Sequence, residues 1–220
     1  MNKPADQQNF SPARTYGHCS INRLSLLVLT VLISAAAAQD ELPVPFQAGE
    51  KWGYKDRNGS TVIAPHYLIA LPFSGQGLAA VVDDSGWVYI NRQGEKLIRP
   101  YVFDNGPDYF SEGLARYVSD GKFGFFDEYG HIIIPAVFLF AGPFSEGLAA
   151  FCEACEKKTS GEHSTYQGGR WGYMNKQGRI VIGARFDQVS LFKDSTATVS
   201  VNGKIYLIDK AGRFLHWSAE

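Results

Sequence analysis

From Lys51 to the C-terminus, short apolar runs broken by turn residues recur along the chain. The strings KWGYKDRNGSTVIAP from Lys51, GWVYINRQGEKLIRP from Gly86, KFGFFDEYGHIIIPA from Lys122, RWGYMNKQGRIVIGA from Arg170 and KIYLIDKAGRFLHWS from Lys204 align on Trp52, Trp87, Phe123, Trp171 and Ile205. The anchors are spaced by 35, 36, 48 and 34 residues, and each has a glycine seven positions later: Gly59, Gly94, Gly130, Gly178 and Gly212. Self-similarity at such a period marks a repeat architecture and outranks any local motif. A second string lies between the anchors: PFSGQGLAAV from Pro72, YFSEGLARYV from Tyr109, PFSEGLAAFC from Pro143 and a worn LFKDSTATVS from Leu191. Together they make four full units and a terminal half unit over 51–217. The long spacing marks an insertion over 153–169.

Each unit predicts β-structure. Aromatic and β-branched residues flank a fixed Asx-x-x-Gly, as in Asp127 to Gly130. The Asx side chain starts a type I turn, and the glycine accepts the positive φ of a bulge, which gives a tight hairpin. The GLAxV string predicts a further strand, joined to the next anchor by a turn such as Asp120-Gly121. The expected sheet is therefore a three-stranded antiparallel meander, Leu114–Val118, Phe123–Asp127 and His131–Ile134. The fold class is all-β, a repeat array arranged as an open stack or as a small propeller-like ring. Closure would hide the end faces. An open stack would need caps, for which Val44-Pro45-Phe46 and the segment from Phe214 to Trp217 are candidates. Alternate strand residues face opposite sides, and neither side is cleanly polar, so each sheet is expected to be covered on both. Trp52, Trp87, Phe123 and Trp171 form the expected repeat core. The glycine after the anchor leaves a dent, expected to receive a neighbouring unit's aromatic anchor; Val88 breaks that rule.

The N-terminal region differs. Leu24 to Ala38 is uncharged and apolar, follows Arg23, and ends in Ala36-Ala37-Ala38 before the polar Gln39-Asp40-Glu41. Such a run suits a signal-peptide core, whereas a membrane-spanning helix needs roughly 20 residues. Residues 1–38 therefore read as a signal peptide with a long n-region, and an uncleaved anchor is the alternative. Residues 39–50 read as a linker or an N-terminal edge strand. Export to the periplasm or beyond is expected. Cys19 precedes the apolar run and so is not a lipobox cysteine after it. The chain of 220 residues is 45% apolar with a formal net charge of −1, which gives no sign of a nucleic-acid partner.

The pattern [KR]-[WF]-G-[YF]-x-[DN]-x-x-G followed by aliphatics, then Pro-Phe-Ser-Glu-Gly-Leu-Ala, resembles the bacterial WG-repeat family. The resemblance covers most of Lys51 to Trp217. It implies a β-rich repeat array and no general catalytic signature, so it transfers no functional residues.

Chemistry candidates are few. Cys152 and Cys155 are the cysteines beyond the signal peptide. An oxidising compartment favours a disulfide between them. Free thiols, a redox role, or a weak metal site are the other readings; zinc takes four ligands, for which Cys152, Cys155 and His163 with Glu153, Glu156 or Glu162 are candidates, but the spacing is not that of a standard finger. A disulfide requires the GLAAF strand to end at or just after Phe151, because three steps of regular strand would hold the Cα atoms about 10 Å apart. His66, His131 and His216 carry no companion motif. Glu112 and Glu146 recur with the repeat, and Gln76 fills the same slot, so a turn or ladder role outweighs acid–base chemistry. The Gly75-Gln76-Gly77 run lacks the strand–helix context of a phosphate loop. No nucleophile or metalloprotease motif appears.

The expected function is an exported, non-enzymatic β-repeat binding or interaction module without a cofactor. Its expected partner is an envelope protein or a cell-wall glycan, with no nucleic acid and no membrane attachment after cleavage. Tyr109 and Tyr166 are candidate contacts, and the insertion is the place for individuality. The alternative is an envelope redox or metal protein using Cys152 and Cys155.

Overall fold

The computed structural model describes residues 41–160 and 163–215; the signal-peptide reading, His216 and Trp217 lie outside the described residues, as does the His163 side chain. The described chain holds twenty-one strands and no helix. Five sheets follow one another in sequence order. The first is β1 (Val44–Ala48), β2 (Lys51–Lys55) and β3 (Thr61–Tyr67). The second is β4 (Ile69–Ala70), β5 (Ala79–Asp83), β6 (Gly86–Ile90) and β7 (Lys96–Ile98). A small hairpin of β8 (Val102–Phe103) and β9 (Gly106–Pro107) precedes the third, β10 (Leu114–Ser119), β11 (Lys122–Asp127) and β12 (Ile132–Phe138). The fourth is β13 (Phe140–Ser145), β14 (Leu148–Glu153), β17 (Arg170–Asn175) and β18 (Ile180–Phe186), with the hairpin β15 (Glu156–Ser160) and β16 (His163–Gln167) inserted between β14 and β17. The fifth is β19 (Gln188–Val189), β20 (Thr196–Val201) and β21 (Lys204–Asp209).

All pairings are antiparallel, and the meander is the unit of the fold. Two of the five sheets gain a fourth strand, because the residues after the third strand of one unit turn and pair with the GLAxV strand of the next. The third strand is also longer than expected and reaches Phe138, three residues after Pro135. Each hairpin is built the same way. In the third unit the Asp127 carboxylate accepts the N–H groups of Tyr129 at 3.0 Å and His131 at 2.8 Å, and Gly130 sits at φ 85°. Asp56, Asn91, Asn175 and Asp209 make the same pair of bonds.

The sheets are stacked through four core layers, which join the first to the second, the second to the third, the third to the fourth and the fourth to the fifth. Strand alternation supplies both faces of an inner sheet. Tyr89 points to the third sheet, whereas Val88 and Ile90 point to the first. In the fourth sheet Tyr173 faces onward and Met174 faces back. The aromatic that faces onward packs on the phenylalanine of the next PFS-type string: Tyr54 on Phe73 at 4.7 Å, Phe125 on Phe144 at 4.8 Å and Tyr173 on Phe192 at 4.8 Å between ring centroids. Tyr54 and Tyr173 also donate their hydroxyls to the carbonyls of Leu71 and Ser190. Burial drives both phenols well above their ordinary range.

This arrangement is an open stack, and its ends are capped in the sequence. Ile90, Phe126, Met174 and Ile208 face the preceding sheet and are fully buried. Among the described residues no sheet precedes the first, and there the same slot holds Lys55, whose ammonium lies over the Phe46 ring. At the other end, Thr196 and Thr198 take the slots of Leu148 and Ala150 in the fourth sheet and face outward. The two threonines make that part of the last sheet's outer face polar, as the end of a repeat stack needs, but Ile205 on the same face stays 75% exposed.

Two expectations need correction. Trp52, Trp87 and Trp171 are half-buried at the borders of the core, and only Phe123 among the anchors is fully buried; the deepest position lies two residues later, at Tyr54, Phe125 and Tyr173. The dent beside the anchor does not receive a neighbouring sheet's aromatic anchor; at Gly124 it is occupied by Tyr117, its cross-strand partner in the same sheet, whose ring carbon would lie 2.6 Å from an added Cβ. A Cβ on Gly124 would lie 2.5 Å from the Ile134 carbonyl oxygen and 2.7 Å from the Ala136 nitrogen, both on the third strand of its own sheet. There the register jumps from Phe125↔Ile134 to Phe123↔Phe138, a bulge that carries the backbone directly over the glycine. Gly53 and Gly172 meet the same bulge in their units. Val88 is permitted because β7 stops at Ile98 and no bulge crosses it.

Candidate functional site

The insertion is a hairpin rather than an irregular loop, paired from Glu156↔Gln167 to Ser160↔His163. Its root is tied twice. Cys152 and Cys155 are joined by a disulfide, with Cα atoms 6.0 Å apart. The strand runs on through Cys152 to Glu153, further than the sequence argument allowed, and the cysteines still meet because Ala154 at φ 56° makes the turn between them. On the returning side Gly169 passes against the backbone of Ala154 and Cys155, where a side chain would collide. Cys152 pairs in register with Trp171, so the disulfide sits beside the anchor of the fourth unit.

This root folds the hairpin's last residues onto the stack. The Tyr166 ring stacks on Phe140 at 4.4 Å and meets Phe123 edge-on at 5.6 Å. Phe140 in turn meets Trp171 edge-on at 5.8 Å. The Trp171 indole N–H donates to the Gly168 carbonyl at 3.1 Å, which fixes the ring. Tyr166, Gln167, Gly168, Trp171, Asp187, Gln188 and Val189 line a cleft of about 590 Å³. Its one carboxylate, Asp187, is paired with Arg170 and accepts the Asn202 N–H. The volume lies in the range of small-ligand clefts, and the cleft is open to solvent with polar and apolar walls.

Behind the cleft lies a buried ion pair that the sequence analysis missed. Arg116 Nε and Nη2 donate to the two oxygens of Asp108 at 2.8 and 2.6 Å, and Nη1 donates to the Ala141 carbonyl at 3.1 Å. The guanidinium lies 4.9 Å from the Tyr101 ring, and Tyr101 contacts Phe123 at 5.0 Å. Burial raises the Tyr166 phenol, Tyr101 adds to that, and the Arg116 charge partly offsets it. The signal for Arg116 was visible: it occupies the slot of Ala80 and Ala150 in the GLAxV string. Asp108 had no periodic signal.

The other candidates lie apart from the cleft. Tyr109 is an exposed surface residue. His66 and His131 are exposed, with ring nitrogens near the Ala64 carbonyl and the Asp127 carboxylate. Glu112 and Glu146 sit at positive φ in two-residue turns, and each reaches the turn of the next unit. Gly77 closes a turn with its N–H donated to the Ser74 carbonyl. Among the described residues no group of three or more His, Cys, Asp or Glu could hold a metal ion.

The model of the WG containing repeat family matches residues 52–87, 89–123, 123–153 and 171–204. The chain belongs to that family. No curated protein matches it. A solved structure described as the crystal structure of the eukaryotic initiation factor is similar at 13% identity and a TM-score of 0.36, over 80% of this chain and 52% of that one. This chain therefore spans about half of that protein, and at that TM-score the likeness carries no argument about fold or function.

Proposed function

We propose that this WG-repeat protein is an exported, non-enzymatic binding module whose contact surface is the cleft beside the inserted hairpin. The observation that carries the reading is the junction of Tyr166 and Trp171. The insertion departs from the repeat, and its returning strand joins a repeat anchor to form one wall of a cleft. A stack of near-equivalent sheets offers a rigid frame, and a loop held on such a frame is where recognition usually resides. The apolar run at Leu24 to Ala38 supports export, and the Cys152–Cys155 bond fits an oxidising compartment. The partner is an envelope protein or a cell-wall glycan.

The test is capture from an envelope extract with the mature chain as bait. A second bait carries a short Gly-Ser link in place of residues 156–167. Capture by the first and not by the second supports the reading. Equal capture by both removes the cleft from it. A third bait with Cys152→Ser and Cys155→Ser addresses redox or metal chemistry: retained capture supports a module that works without the thiols.

A further inference from the structure

We propose that the cleft binds a neutral saccharide, one sugar ring stacking on Trp171 or Tyr166 while Gln167, Gln188 and Asp187 take its hydroxyls. This rests on the binding-module reading and gives its ligand a chemical class. A pyranose has apolar C–H faces and a rim of hydroxyls. It needs a flat apolar platform beside groups that both donate and accept hydrogen bonds. Tyr and Trp supply such platforms at little conformational cost, because few torsions must be fixed. Here both rings are already held: Trp171 by its bond to the Gly168 carbonyl, Tyr166 by its stack on Phe140. With its N–H engaged, Trp171 can meet a ligand only through the part of its ring that borders the cleft.

The polar wall fits hydroxyls better than charges. Each glutamine amide carries two donors and an acceptor. The Asp187 carboxylate accepts, and its charge is matched by Arg170. Among the described residues neither lysine nor arginine lines the cleft, and the neighbouring Arg170 is paired with Asp187, so nothing there selects an anion. A peptide adding as a strand needs a run of unpaired backbone. The strand segments that reach the cleft are the last two residues of β16, the two residues of β19, and Trp171 of β17, a strand already paired on both sides. That is too short an edge to hold one.

The experiment is a screen of the full mature chain on a printed array of neutral glycans, followed by calorimetry with the hits. Binding of at least one neutral oligosaccharide is expected. Trp171→Ala should weaken it about tenfold or more, and Trp171→Phe much less, because the platform persists. Trp171 borders a core layer, so circular dichroism must show that the alanine variant is folded. The exposed pair Gln167→Ala with Gln188→Ala leaves the core untouched and should weaken binding about tenfold through lost hydrogen bonds. Absence of binding across the array overturns the proposal, as does binding indifferent to both the tryptophan and the glutamine variants. Capture of an envelope protein through the cleft with no glycan bound would leave the module reading standing and sink the saccharide.

Discussion

Glu112 accepts the backbone N–H of Gly147 at 3.0 Å, although 35 residues separate them. The same side chain meets Lys176 at 3.1 Å. One unit later Glu146 repeats both contacts, accepting the Ser195 N–H at 2.9 Å and meeting Lys210 at 3.1 Å. The glutamate of each turn thus ties down the turn of the next unit, which gives the recurrence of SEGLA a structural cause. Where the third unit has Glu128 in the slot of Lys176, the preceding turn has Gln76 in the slot of glutamate, so two carboxylates do not meet.

The ladder predicts a pH dependence. Burial alone would raise the Glu112 pKa, but the bonds from Lys176 and the Gly147 N–H outweigh it and hold the group below 4.5. The bond from Lys210 is the main cause that lowers Glu146. Folded-state values below the unfolded ones mean stability that is present above about pH 4.5 and lost as pH falls through the depressed values. Denaturant titrations should show the chain losing stability below that pH. The double variant Glu112→Gln with Glu146→Gln should flatten that loss. An unchanged acid slope would rule the ladder out as its source.

The glycine after each anchor carries a second prediction. Gly172→Ala puts a Cβ against the β18 bulge, where the nearby atoms are backbone and cannot rotate away. The expected cost is about 1–3 kcal/mol, as for other overpacked positions. Gly183→Ala is the control: nothing lies within 4 Å of its added Cβ, so it should cost much less. Equal effects in urea denaturation would remove the bulge argument.

How far the sequence revealed this depends on distance along the chain. The hairpins were legible because Asp127 and Gly130 act on their own turn. The sheet faces were legible because alternation is local. The bulge over Gly124 was not, because it is made by Ile134 to Ala136 on another strand and leaves only the glycine as a trace. The caps were legible only in part: Phe46 stood out, but Lys55 and Thr198 look ordinary until their slots are compared with Ile90 and Ala150. Of the cleft, Tyr166 and Trp171 were visible as separate aromatics. Their meeting with Asp187 and Gln188 depends on how Ala154 and Gly169 fold the insertion back, and no spacing reports that.

Arg116 and Asp108 are both nearly buried, with 7% and 5% of their side chains exposed. Removing one partner leaves a charge in the core. Arg116→Ala or Asp108→Ala should each cost about 3–5 kcal/mol. Arg116 fills a slot where neighbouring units hold alanine, so the double variant Arg116→Ala with Asp108→Ala should cost less than the two singles added together. A double-mutant cycle by denaturation measures this directly. Additive losses would mean that the residues stabilise the third sheet independently of their pairing.

Lys55 supplies the last prediction. It stands where every later unit buries an apolar side chain against the sheet before it. Lys55→Ile turns the first sheet's outer face into one that resembles an inner face. The variant should fold, because nothing in the first core layer changes. It should also shift toward larger species in sedimentation velocity, because the new face fits another stack's end better than water. Lys122→Ile removes a lysine from an exposed strand end and is the control for a general loss of solubility. If the Lys55 variant sediments like the unchanged chain, the lysine is not what keeps stacks apart, and the charge over Phe46 serves only its own sheet.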